Sequence, residues 1–273
     1  NLGAQPSPVA PTPYRDWRYT GRADVKFSDK HNLFASYNAQ SNKGENDQIT
    51  QTSDLTAGNI TTNELILANL TLNSVLSPRV VNAFTAGYQY WANLIDAKVY
   101  TNALFFPGGI TFGTNTNVPQ QSYQAKWQFR DDLSWLVGRH ALKMGADYVY
   151  QPKLGGFFAF NATPNITFLD LPSVILGDRT KYPQGFATPG AVTGISYTAG
   201  NPYFDLPGGT KMFGAYFQDD FKVSKRLTIN AGIRWDRDFN LIGGANQGAS
   251  RTFQQLQKIN SPYARSVPGD FNL

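Results

Sequence analysis

"FGAYFQDDFKVSKRLTINAGIRWD", residues 213–236, alternates apolar and polar side chains along two runs that meet at Ser224-Lys225. In the first run Phe213, Ala215, Phe217, Phe221 and Val223 share one parity, and Gly214, Tyr216, Gln218, Asp220 and Lys222 share the other. In the second, Leu227, Ile229, Ala231, Ile233 and Trp235 alternate with Thr228, Asn230, Gly232, Arg234 and Asp236. Period two places successive side chains on opposite faces of a strand. Two such runs around a two-residue break read as a β-hairpin. The second face is too charged for a packed core, so one face of this hairpin meets an oily surrounding and the other meets water.

Working outward, three more hairpins follow the same rule. Arg18–Phe27 and Asn32–Gln40 flank "SDKH", Glu64–Asn73 and Val80–Trp91 flank "VLSPR", and Gln124–Trp135 and His140–Tyr150 flank "LVGR". Together with Lys211–Val223 and Arg226–Asp238 they predict eight strands of roughly ten to thirteen residues, against about five or six in an ordinary globular sheet. The units echo one another, as in "FRDDL" (129–133) and "FQDDF" (217–221) before the turn. The connections 41–63, 92–123 and 151–210 are long and rich in Gly, Pro, Asn and Thr. Compact soluble domains seldom need such loops. Every short turn lies at one end of the predicted sheet and every long loop at the other.

The apolar stripe ends in large side chains eight residues apart: Tyr19 and Phe27, Trp127 and Trp135, Phe213 and Phe221. At ~3.3 Å per residue this is ~26 Å of strand, or ~20 Å vertically at a tilt of ~40°. An outer-membrane barrel carries an apolar band of that order between aromatic girdles. The expected fold class is therefore all-β: an antiparallel meander of about eight long strands, a segment of a transmembrane outer-membrane β-barrel. Arg22, Asp24, Lys26, Lys126, Arg130, Asp132, Lys143, Asp147, Asp220, Lys222, Arg234 and Asp236 are expected on its concave, lumenal face, with opposite charges offsetting one another across adjacent strands. Asp131 and Asp219 fall on the oily face by strict alternation, unless a bulge turns them inward.

Composition narrows the function. The chain has no cysteine, so disulfides and thiolate metal sites are excluded. A net charge of +5 with scattered Lys and Arg gives no basic block for nucleic acid. The adjacent carboxylates Asp131-Asp132 and Asp219-Asp220 point to opposite faces and cannot converge on one substrate, so no catalytic pair is expected and the chain does not read as an enzyme. His31 and His140 follow short turns and lack further ligands, so neither a metal nor another cofactor is expected. Aromatic residues of the long connections, Phe105, Phe106, Phe157, Phe158, Phe160 and Tyr203, are the candidates for contact with an extracellular ligand. They equally suit pinning the loops together.

"YFQDDFKVSKRLTINAGIRWD" (216–236) resembles the barrel hairpin of TonB-dependent receptors, in which an aromatic-x-Gln-Asp strand descends and a Leu-Thr-hydrophobic-Asn-x-Gly-hydrophobic-Arg strand returns. "YTGRADVKFSDKHNLFASYN" (19–38), "LTLNSVLSPRVVNAFTAGY" (70–88) and "LVGRHALKMGADY" (136–148) are similar to its Oar-like branch. The resemblance implies an outer-membrane, ligand-gated transporter whose lumen holds a plug domain and which couples to the TonB energising complex. It often adds an N-terminal carboxypeptidase-regulatory-like domain, of which these residues show nothing. On this reading residues 1–17 and 239–273 are extracellular loop remnants around a partial barrel at 18–238, both ends are extracellular, and the sheet is an open slice with free edges. A complete eight-stranded barrel acting as an anchor or adhesin, and a soluble β-rich carbohydrate-binding protein, are the alternatives.

Overall fold

The computed structural model describes residues 10–49, 55–198, 203–205 and 209–239, with the backbone alone at 203–205. In chain order the elements are β1 (Tyr14–Lys26), β2 (His31–Glu45), β3 (Asn59–Ser77), β4 (Val80–Ala97), β5 (Ala103–Phe106), β6 (Ile110–Phe112), β7 (Gln120–Val137), β8 (His140–Phe157), β9 (Asn165–Phe168), α1 (Pro172–Gly177), β10 (Val192–Ser196), β11 (Tyr203–Asp205), β12 (Thr210–Ser224) and β13 (Leu227–Phe239). Eight of the strands are 13 to 19 residues long. They pair antiparallel in the order β1-β2-β3-β4-β7-β8-β12-β13. This is the all-β meander of four hairpins. Among the described residues β1 pairs only with β2 and β13 only with β12, so the sheet is open.

The strands overrun their predicted ends on the side away from the short turns. β3 begins at Asn59 rather than Glu64, β4 runs to Ala97, β7 starts at Gln120, and β8 continues to Phe157. β1 likewise starts at Tyr14, inside the segment assigned to a loop. The added stretches include "NITTN" (59–63), "QQSY" (120–123) and "QPKLGG" (151–156). Beyond the oily band the side chains are mostly polar, and some, such as Asn59 and Thr61, are buried. The hydrogen-bond ladder continues there, but the alternation that betrays a strand disappears. The C-terminal segment assigned to a loop lies outside the described residues from 240 onward, as do residues 1–9.

Cross-strand register sorts the side chains, since directly opposite residues share a face. One row runs Ala23, Ala35, Leu70, Ala86, Phe129, Tyr148, Phe213. Tyr19, Val25, Phe27, Trp127, Leu142, Ile229, Ile233 and Trp235 lie on this same face. Its large side chains are uncovered: Tyr19 is 61%, Phe27 64%, Ile233 73% and Trp235 53% exposed. No second sheet packs on them among the described residues.

The long connections are not simple loops. Residues from 98–119 and 158–198 build a second, four-stranded sheet, β10-β9-β5-β6, in which β5 and β9 run parallel. With α1 it encloses a small core of Phe106, Phe168, Ile175, Tyr182 and Ala191. Phe106 and Phe168 stack at 4.7 Å, and Phe186 meets both edge-on. We call this unit the cap. Its strands are only three to five residues long, too short to show a period.

One charged cluster ties the cap together. Lys181 Nζ donates to Asp170 at 2.6 Å, and the Tyr182 hydroxyl donates to the same carboxylate oxygen. Lys181 holds the Asp170 carboxyl below its ordinary 3.8, and Asp170 holds the Lys181 ammonium above its ordinary 10.5. A depressed carboxylate contributes stability that is complete above its ordinary value and lost as pH falls through its folded-state value. A raised amine loses its contribution only as pH rises through its own higher value. Asp170→Asn is therefore expected to speed amide hydrogen exchange in the cap at neutral pH. That difference from wild type should close as the pH drops below 3.8. A difference that persists in acid would mean that charge is not what holds the cluster.

Candidate functional site

The polar face of the long sheet carries all twelve charged residues predicted for it. One row runs Asp132, Gly145, Tyr216, Arg234 and the next Arg130, Asp147, Gly214, Asp236. Arg22 joins them through Ser36, Asn69, Gly87 and Gln128. Asp24, Lys26, Lys143, Asp220 and Lys222 share the parity of their strand neighbours. Opposite Lys126, β8 accommodates an extra residue, and its pairing moves from Lys153 to Tyr150. The bulge is on β8, so Lys126 stays in phase with Gln128 and Arg130.

The charges offset one another mostly along strands, where pairing across adjacent strands was expected. Arg22 grips Asp24 through two N–H donors at 2.8 Å, and Arg130 grips Asp132 at 2.7 and 3.2 Å. Arg234 grips Asp236 at 2.8 and 2.5 Å. These three Arg-x-Asp repeats stand in "RAD", "RDD" and "RWD", a spacing of two that puts both partners on one face. The pairing is therefore a local property of the sequence. Two contacts do cross strands. Arg234 also donates to Asp147 at 2.8 Å, and the Tyr216 hydroxyl donates to Asp132 at 2.7 Å. Each spans a glycine on the intervening strand. A Cβ at Gly214 would lie 2.3 Å from Arg234 Nη2, and one at Gly145 would lie 2.7 Å from both Asp132 Oδ1 and Tyr216 Cε1. Single exposed ion pairs are worth ~0–1 kcal/mol, so this lattice matters chiefly as a fixed, hydrated pattern of charge. Lys26 reaches Asp29 in the turn at 2.6 Å. Lys126, Lys143 and Lys222 have no ion-pair partner among the described residues.

Asp131 and Asp219 do sit on the apolar face. No bulge rotates them. Each finds a partner two residues nearer the short turns: Asn82 Nδ2 donates to Asp131 at 2.5 Å, and His140 Nδ1 lies 2.6 Å from Asp219 Oδ2. His140 also stacks on Phe221 at 4.3 Å. Both acids thus pair toward the short turns, while Asp219 Oδ1 is buried without a hydrogen-bond partner among the described residues. His31 bonds Ser74 at 2.9 Å.

The aromatic candidates for ligand contact divide. Phe106 is buried in the cap core, and Phe157, on β8 rather than in a loop, is buried against Phe160 at 5.6 Å. Neither can face a ligand, and both serve to hold the connections in place. Phe105 and Phe160 are half-buried, while Phe158 is 78% exposed. The backbone of Tyr203 pairs with Phe157, and its side chain lies outside the described residues. The cap also presents exposed Leu169, Leu176, Ile195 and Tyr197, which no local pattern distinguishes. It is roped to the β2–β3 connection by hydrogen bonds from Gly113 N to Thr56 and from Asn115 Nδ2 to the carbonyl of Gln48, both 2.7 Å.

Comparison with known proteins agrees with this arrangement. The family model described as "Outer membrane beta barrel domain" matches residues 4–269. Among solved structures, the outer membrane transporter YddB from Escherichia coli superposes with a TM-score of 0.57 at 13% identity. The match covers 82% of this chain and 28% of that one, so the chain spans less than a third of the transporter's length. At that identity the likeness is one of fold. No curated protein matches the sequence.

Proposed function

Since the chain belongs to the outer membrane beta barrel domain family and so resides in the outer membrane, we propose that it is part of the wall of a TonB-dependent, ligand-gated transport barrel of the Oar-like type. The apolar face meets lipid. The polar face lines the route of an extracellular ligand, a plug domain closes that route, and the cap with its neighbouring loops receives the ligand. The observation that carries this reading is the placement of the twelve charged residues named above on one face of strands whose other face bears uncovered aromatics. The edges of β1 and β13 present backbone groups that lipid cannot satisfy, so further strands of the same barrel flank them.

Cysteine labelling tests the wall. This stretch contributes no cysteine, and any elsewhere in the full-length protein is first replaced by serine. In the full-length protein in outer-membrane vesicles, Lys143→Cys is expected to react with a charged, water-borne maleimide at least about tenfold faster than Leu142→Cys, because lipid excludes the reagent from one face and water admits it to the other. Equal rates would remove the lumen. TonB dependence is read separately: uptake must cease when the energising complex is deleted while surface binding persists.

A further inference from the structure

Past its outer girdle the apolar face becomes charged. On β12 and β13 that girdle is Phe213 and Trp235, whose rings lie 5.9 Å apart. The next residues outward on the same face are Lys211 and Arg237. Lys211 stands directly opposite Tyr150 on β8 and Phe239 on β13, and Arg237 directly opposite Phe213. Lys153 follows on β8 beyond the bulge and shares the face of Ala125, its partner on β7. All three cations are exposed, and none has an ion-pair partner among the described residues. Lys211 Nζ lies 5.8 Å from the centre of the Tyr150 ring, and the Arg237 guanidinium 4.9 Å from that of Phe239. Phe239 is the cross-strand neighbour of Lys211, so the guanidinium leans outward, toward the ammonium. Diagonal positions of this kind are ~7–8 Å apart, which lets two long side chains close on one anion.

Elsewhere on the sheet the same outward extension carries both signs. Arg15 and Lys43, directly opposite each other on β1 and β2, share it with Glu45, Glu64 and Asp96. Lys98 Nζ closes on Glu45 at 2.6 Å. From β7 to β13, by contrast, no carboxylate shares that face beyond the girdle among the described side chains. Uncompensated cations directly above bulky apolar rings fit a partner that is anionic at one end and apolar at the other. A soluble anion satisfies only the charges, and hydrocarbon satisfies only the rings. A phosphate has enough acceptor oxygens to take donors from an ammonium and a guanidinium together. We propose that Lys211 and Arg237, with Lys153 beside them, form a seat on the lipid side of the wall for the phosphate of an anionic lipid, whose chains lie along Phe213 and Trp235. The seat is at the end of the sheet opposite the short turns, which places it in the outer leaflet. It concerns what surrounds the barrel rather than what passes through it, and it rests on the lipid-facing reading of the apolar face.

The test uses the full-length protein in a maltoside detergent and native mass spectrometry, with dipalmitoyl phosphatidate as the probe and the diacylglycerol of the same chains as its uncharged counterpart. Phosphatidate should bind at least about tenfold more tightly than diacylglycerol, and inorganic phosphate in excess should not displace it. The double variant Lys211→Ala with Arg237→Ala should weaken phosphatidate binding by about tenfold or more. Lys211→Arg, which keeps the charge, should retain affinity within about threefold, and Lys43→Ala, among the compensated charges, should leave it unchanged. Lys211→Gln provides a milder reduction should the double variant fail to fold. Equal binding of diacylglycerol, displacement by inorganic phosphate, wild-type affinity in the double variant, or an equal loss in Lys43→Ala would each overturn the seat. If that happens while the Lys143/Leu142 labelling contrast holds, the seat falls and the wall stands. Loss of the contrast removes both.

Discussion

Lysine in place of Phe217 is expected to destabilise the protein in a lipid bilayer by about 2–4 kcal/mol, whereas lysine at the next residue, Gln218, should change stability by about 1 kcal/mol or less. Phe217 lies midway between the girdle residues Phe213 and Phe221, on the apolar face, opposite Met144 and Ile233. A charge there meets no water, the nearest carboxylate on that face, Asp219, is held toward the short turn by His140, and the lipid midplane is where the penalty peaks. Gln218 points the other way, opposite Lys143 and Gly232. A lysine there gains Asp220, which Gln218 already contacts at 3.1 Å, and this offsets repulsion from Lys143. Denaturant titration of both variants in vesicles measures the contrast. Phe217→Leu separates lost packing from added charge, since a leucine there should cost less than about 1.5 kcal/mol. Equal costs for the two lysines would show that the apolar face does not meet hydrocarbon.

The second large effect belongs to Gly156→Ala, expected to cost about 3 kcal/mol and to open the outer end of the β7–β8 ladder. Gly156 has a φ of +140°, and a Cβ there would stand 2.0 Å from the Gln121 carbonyl oxygen and 3.0 Å from Ser122 Cα. Those are backbone atoms of the paired strand and cannot swing aside. β11 pairs with the same three residues of β8, so the disturbance spreads to the attachment of the long connection. Gly138 supplies the control. Its φ is +59°, but nothing lies within 4 Å of its added Cβ, so Gly138→Ala carries only the strain of a tight turn, about 1 kcal/mol. Hydrogen exchange at Tyr123 and Phe157 should rise in Gly156→Ala and stay unchanged in Gly138→Ala. Similar behaviour of the two would mean that close backbone approach is not the determinant.

Much of this was written in the chain. Eight long strands, four short turns on one side and the face of every charged lumen candidate follow from parity, because parity is a local property of an extended backbone. Asp131 and Asp219 show the rule's strength: it placed them on the oily face against chemical expectation, and they are there. Their partners, Asn82 and His140, come from neighbouring strands, and no local pattern names them. The Arg-x-Asp pairs lie between these cases. Their spacing of two is a local signal, although opposite charges on neighbouring strands were equally available by parity.

The cap was not legible. Phe106 and Phe157 stood in Gly- and Pro-rich surroundings and read as ligand candidates, yet both are buried. The strands of the cap are three to five residues long and come from connections separated by the whole of β7 and β8. So short a segment has no period, and its partners are set by which distant loop meets it once the long strands have brought the loops together. The same holds for Lys211: its parity was available locally, but its place between Tyr150 and Phe239 depends on the register of three strands. The sequence alone determined which way each side chain faces, because alternation is enforced residue by residue by the backbone. Only the tertiary structure decided what each side chain meets there, because register and loop contact are fixed by hydrogen bonds and packing between segments that the chain keeps far apart.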